Sequence, residues 1–134
     1  MFHYQFDFLL HLFHIQLLMG NHVTQLLDRV FWCIHNPTTR NRQGHDSGTQ
    51  YRSIIFYHSE EQRSVAEKSL READASGVWT SSIVTELLPF TTFYQADERH
   101  QDYYLSHPEE AYCQVVIEPK VAKLRKAFQD KLKE

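Results

Sequence analysis

Two thiols, nine imidazoles and one polar loop with an aspartate are the groups in this 134-residue chain able to carry chemistry. Cys33 and Cys113 are too few for a disulfide-stapled scaffold or a four-cysteine zinc site, and free thiols suit a reducing, cytoplasmic setting. A cysteine attacks as the thiolate, which a helix N-terminus or a neighbouring cation favours. Cys33 lies inside the helical stretch FWCIH with neither beside it. It reads as a half-buried, inert thiol, with a redox role alongside Cys113 or glutathione as the lesser alternative. His11 with His14, or Cys33 with His35, would supply metal ligands, but no HExxH or CxxC frame accompanies them, so no metal and no bound cofactor is expected. His100, within ERHQDYY, is balanced between a packing role and a site role. Asp46 stands in NPTTRNRQGHDSG, residues 36–48, an almost wholly polar segment with Gly44 and Gly48 supplying permissive backbone. A loop of about a dozen residues held by a scaffold is a common location for a site.

The elements that must hold these groups follow from periodicity. Val23, Leu26, Leu27, Val30, Phe31 and Ile34 recur at helical spacing and fall on one face. Trp32 falls on the opposite side, so the helix packs on both faces or exposes an indole. Pro37 ends it near His35 or Asn36. Residues 51–57, rich in aromatic and β-branched side chains, predict a strand whose consecutive Ile54, Ile55, Phe56 and Tyr57 want burial on both faces, as in the middle of a sheet. Ser59 with Gln62 is a capping box opening a helix over 60–75, and Gly77 is placed to end it. Residues 79–87 and 90–95 read as short strands around Pro89, residues 97–106 as a short helix, and 121–134 as a lysine-rich amphipathic tail on Val121, Leu124, Phe128 and Leu132.

Length allows one core, and 42% hydrophobic with 23% charged residues is a folding composition. Fourteen basic against seventeen acidic side chains leave a net charge of -3, which excludes nucleic acid as an expected partner. The aromatic, leucine-rich leader 1–20 is interrupted by Gln5, Asp7, His11, His14 and Gln16, so no membrane span is expected there, and it lacks the basic start of a secretory signal. It reads as an apolar segment covering exposed core, ahead of a domain over 21–134.

Three separated runs, FWCIHNPTTRNRQGHDSGTQYRS, FYQADERHQDYYL and AYCQVVIEPKVAKLRKAF, occur in the order found in the A-type peptide methionine sulfoxide reductases, which the chain resembles from Val23 onward. The resemblance implies an α+β fold, the C-terminal part of that family's two-layer architecture with a mixed sheet and flanking helices. It also implies reduction of methionine S-sulfoxide in proteins, a repair reaction of oxidative stress, by thiol chemistry with thioredoxin or dithiothreitol as reductant. A low-pKa cysteine attacks the sulfoxide sulfur, becomes a sulfenic acid and is resolved as a disulfide by a second thiol.

Carried across by the same resemblance, Asp46 in GHDSG and Tyr51 in GTQYRS match polar residues that hold the sulfoxide oxygen and order the site. Tyr103 and Tyr112 match aromatic positions near the substrate, and Cys113 matches a position that some members use as a resolving cysteine. The family's Gly-Cys-Phe-Trp nucleophile motif does not occur in this chain, nor do the strands that follow it with a glutamate acid and a further tyrosine. Reductase activity is therefore expected to be impaired in what reads as a truncated family member. The competing expectation is a non-catalytic pseudoenzyme or gene fragment that at most binds oxidised methionine.

Overall fold

The structure, a computed structural model, describes residues 29–94 and 97–131. The leader 1–20, Val23, Leu26, Leu27 and Leu132 lie outside the described residues. Helix α1, described over 29–34, stops three residues before Pro37, whose ring is fully buried. It has two buried faces. Val30 and Ile34 pack with Leu124 and Phe128 of the C-terminal segment, while Phe31 packs with Ile55 and Ala66, with Trp32 and Leu87 against that second cluster. Trp32 also donates from Nε1 to Ser69 Oγ at 2.7 Å, so the indole off the apolar stripe is covered and its one polar atom satisfied.

The polar segment after α1 is more ordered than a loop. Strands β1 (Arg42–Gln43) and β2 (Asp46–Ser47) form a small antiparallel hairpin with Gln43 opposite Asp46. Gly44 has φ +57, the left-handed backbone that a two-residue hairpin turn requires at its first central position. The amide of Gly48 donates to Asn41 O at 2.8 Å and closes the hairpin base.

Tyr51, expected at the start of a strand, instead ends a 3₁₀ turn over Thr49–Tyr51. Strand β3 (Ile54–Tyr57) begins three residues later, and its Ile54 and Ile55 are buried. Helix α2 (Glu60–Ala75) follows with Ser59 as N-cap, its side chain accepting from Gln62 N, while the Gln62 amide oxygen accepts from His58 N. Both halves of the cap therefore work, the second displaced by one residue. Gly77, at φ +72, follows the last turn.

Strand β4 (Glu86–Pro89) lies parallel to β3, Ile54 opposite Glu86 and Tyr57 opposite Pro89, with α2 as the crossover that parallel strands need. The two strands expected over 79–87 and 90–95 thus reduce to one that includes Pro89. Only four residues can pair, because β3 is cut short by the cap of α2. β4 is the one strand paired with β3 among the described residues. The α+β class holds, with antiparallel and parallel pairings in two separate ladders.

The helix expected over 97–106 is split into a 3₁₀ turn (Glu98–His100) and α3 (Tyr103–Ser106) by Asp102, whose φ is +50. The C-terminal helix starts earlier than the apolar spacing suggests. Residues 111–112 are helical, Cys113–Ile117 form a π-helical turn, and α4 (Glu118–Ala127) continues from it. Pro119 explains the wide turn, since it has no N–H to give to the carbonyl of residue 115 and its ring would crowd that oxygen in a regular α-helix. Leu124 and Phe128 supply the buried side of this helix.

Candidate functional site

Asp46 on β2 and Tyr112 at the head of the π turn are 66 positions apart, and the Tyr112 hydroxyl donates to Asp46 Oδ2 at 2.7 Å. Both side chains are half-buried, so the bond is shielded yet reachable. Lys120, in the first turns of α4, is drawn into the same place. Burial lowers the pKa of its ammonium, and the carboxylate of Asp46 works against that shift. The sequence alone gives Lys120 no role, since it stands just ahead of the lysine-rich tail over 121–134, and its one local signal is Pro119 beside it.

Tyr51 is half-buried, its amide donating to Gly48 O at 3.0 Å within the turn that follows the hairpin. Tyr103 is half-buried on α3, where its ring stacks on His107 at 4.5 Å between centroids. His100 is buried beneath the preceding turn.

The two cysteines differ in burial. Cys113 has no exposed surface, although it lies just under the surface, and burial with help from Glu110 and Glu109 raises its thiol above the ordinary range. Cys33 packs against the Val30, Ile34, Leu124 and Phe128 cluster. Both are free thiols. Among the described residues no group of three or more histidine, cysteine, aspartate or glutamate side chains is placed to hold a metal ion, and no helix is long and apolar enough to cross a membrane.

His35 and Asn36, at the end of α1, sit behind the site. His35 Nδ1 lies 2.6 Å from Phe31 O and Nε2 lies 2.7 Å from Ser53 Oγ, which is 2.7 Å from Thr85 Oγ1. Burial lowers the imidazole pKa to about 4, the Phe31 carbonyl opposing and the charge of Lys120 adding to the shift. Asn36 N donates to Gln43 Oε1 at 3.0 Å and Gln43 Nε2 returns a bond to Asn36 O. Sequence reading considered His35 only as a metal ligand, because nothing local marks a histidine whose side-chain partner lies 18 residues away.

A cavity of about 450 Å³ opens between the hairpin base and the start of the β3–β4 ladder, lined in part by Arg40, Thr49, Arg52, Ser53 and Glu86. Arg52 and Glu86 pair across it at 3.1 Å. It flanks the Tyr51 turn, and neither Asp46 nor Tyr112 lines it.

The peptide methionine sulfoxide reductase family model matches residues 21–132. The peptide methionine sulfoxide reductase MsrA of Saccharolobus solfataricus is 53% identical over 104 residues, covering 78% of this chain and 58% of that protein. The Thermus thermophilus MsrA is 51% identical over 105 residues, with the same coverage. Among solved structures, reduced Mxr1 from Saccharomyces cerevisiae superposes with a TM-score of 0.61 at 39% identity, over 66% of this chain and 48% of that one. The chain thus spans a little over half the length of the curated relatives it matches. The matched residues include the hairpin, the Tyr51 turn and the Tyr112 helix, and the chain belongs to the peptide methionine sulfoxide reductase family.

Proposed function

We propose that this chain presents the sulfoxide-recognition part of a peptide-methionine (S)-S-oxide reductase site, with turnover impaired for want of the family's nucleophile. The observation that carries the reading is the Tyr112–Asp46 hydrogen bond, which joins two of the three motifs in one place. A sulfoxide oxygen only accepts hydrogen bonds, and so does a carboxylate. Asp46 therefore does not hold the oxygen itself; it orders Tyr112 and draws in Lys120, while the Tyr51 hydroxyl and the Lys120 ammonium are the donors. Tyr103 contributes aromatic surface for the methionine methyl group.

Reduction then needs a thiolate. It attacks the sulfoxide sulfur, the sulfur–oxygen bond breaks as the oxygen is protonated, methionine leaves, and the cysteine carries the oxygen as a sulfenic acid. A second thiol condenses with it to a disulfide and releases water, and a dithiol such as thioredoxin or dithiothreitol restores the thiols. Oxidised methionine in proteins is the substrate class, and the cytoplasm, where free Cys33 and Cys113 persist, is the setting.

The non-catalytic reading draws support from the cysteines, one sealed with a raised pKa and the other partly buried against the core. Incubating the purified chain with a methionine sulfoxide peptide and dithiothreitol tests both. Product formation is expected within error of a control without protein, alongside weak binding, about millimolar, that Asp46→Ala abolishes. Robust product lost in Cys33→Ser, or in Cys113→Ser alone, would identify a nucleophile and overturn the impairment. Shifts of the protein's NMR spectrum that are absent at saturating sulfoxide would remove the recognition reading.

A further inference from the structure

We propose that the C-terminal end of α1, through the adjacent His35 and Asn36, is a positioning clamp that sets the separation of Asp46 and Tyr51. Its functional meaning rests on the sulfoxide-recognition reading; its geometry does not.

Each residue grips one of the two segments that carry the site. Asn36 exchanges two hydrogen bonds with the Gln43 side chain, which is buried with 8% of its surface exposed. Gln43 stands directly opposite Asp46 in the hairpin ladder, so fixing Gln43 fixes the backbone of Asp46. The Asn36 side chain meanwhile accepts from Thr38 N and Thr38 Oγ1, so the gripping residue is itself held.

His35 grips the other segment, and its protonation follows from its partners. A backbone carbonyl only accepts, so Nδ1, 2.6 Å from Phe31 O, must carry the proton. In a neutral ring Nε2 then has only a lone pair, and the hydroxyl of Ser53 must donate to it. Ser53 in turn takes the proton of Thr85 Oγ1. The chain of donors runs one way, from Thr85 through Ser53 and His35 to Phe31. Ser53 follows Tyr51 by two residues and Thr85 precedes β4 by one, so the ring ties the Tyr51 turn and the ladder behind it to the same helix end. His35 acts through Ser53 and Asn36 through Gln43, the residues between each of them and the site.

A clamp and a mere packing role are separated by local readouts. In the ¹⁵N-labelled chain at pH 7, long-range nitrogen–proton spectra are expected to show His35 as the Nδ1–H tautomer. Ser53→Ala and His35→Phe are expected to speed hydrogen exchange of the Tyr51 amide about tenfold, the scale of one lost hydrogen bond. Gln43→Leu is expected to do the same at Gly48, and all three to leave the amides of α2 unchanged. His35→Gln, whose amide oxygen can reach Ser53, is expected to restore most of the protection. Binding of a methionine sulfoxide peptide should weaken about fivefold or more in Ser53→Ala and Gln43→Leu.

An Nε2–H tautomer, or native exchange at Tyr51 in Ser53→Ala and at Gly48 in Gln43→Leu, overturns the clamp. If His35→Phe does not fold, Ser53→Ala, which removes a single hydroxyl, decides. If the unsubstituted chain binds no sulfoxide, the recognition reading fails alone, and the exchange data still judge the clamp.

Discussion

From Ile54 to Pro89 the chain is joined by apolar packing and by signals close in sequence. Ile55 and Ala66 meet Phe31 in one cluster, Ser59 and Gln62 cap the helix, and α2 returns the chain beside β3. The hairpin is joined to the rest by other means, and the helix that follows Tyr112 uses both, its Leu124 and Phe128 packed on Val30 and Ile34. Tyr112 reaches Asp46 across 66 residues, and the Gln43–Asn36 and Ser53–His35 bonds fasten the hairpin and the Tyr51 turn to α1. Apolar contacts tolerate small shifts, whereas hydrogen bonds fix direction and distance. The region proposed to recognise a sulfoxide is thus the one in which geometry is specified by polar bonds, and it rests on a unit stabilised by burial.

The largest way to break this division is to remove the residue both regions share. Phe31→Ala takes the ring from between Ile55 and Ala66 on the helix whose end holds the site. It should cost about 3–5 kcal/mol in urea unfolding, like other buried phenylalanine truncations, and lower the protection of both regions together. Loss confined to α2 would show that α1 is not the shared support.

Acid acts next. The folded chain keeps His35 neutral down to about pH 4, whereas the unfolded chain protonates it near 6.5. Between those values the unfolded state binds the extra proton. The contribution is therefore complete above pH 6.5 and is lost as pH falls through the window, by roughly 3 kcal/mol in all. Denaturation midpoints measured from pH 7 to 4 should fall for the native chain, and the His35→Gln chain should lack this part of the slope.

Tyr112→Phe deletes one hydroxyl and leaves Asp46 Oδ2 without that donor. A loss of about 1.5–3 kcal/mol, the usual worth of a bond to a charged group, should appear with faster exchange in the hairpin and little change in α2. Ser59→Ala mirrors it. The cap contributes about 1 kcal/mol, and its loss should fray α2 while the hairpin amides keep their protection. Smallest of all is the exposed Lys68–Glu72 pair at 3.7 Å, whose removal by Lys68→Ala should change the urea midpoint by less than about 0.5 kcal/mol.

The same division governs what the sequence reveals. Helix 60–75, its cap and its glycine stop were legible because every determinant lies within a few residues, and the α1 stripe was legible from periodicity. Asp46, Tyr51 and Tyr112 were singled out by resemblance, and only Asp46 had a local signal of its own in the polar segment. The hairpin inside that segment was missed because four strand residues around Gly44 carry no alternation to detect. The extent of β4 was misread because apolar content over 79–95 does not say which four residues find a partner, and that is decided by where β3 ends. His35 and Lys120 were missed as site residues because their environments are made by distant segments: the hydroxyl of Ser53 for one, the carboxylate of Asp46 for the other.

The π turn over Cys113–Ile117 has a further effect on this helix. Tyr112 and Lys120 are eight positions apart, and along an unbroken α-helix they would point about a quarter turn away from each other. A π turn takes up one extra residue without advancing the rotation, so the two are phased as if about seven apart, two full turns, and the ammonium of Lys120 lies on the side of the helix whose Tyr112 bonds the carboxylate that it feels. The inserted residue thus acts as a phase corrector. Deleting one residue from the turn would leave each flanking sequence helical while rotating either Tyr112 or Lys120 away from Asp46.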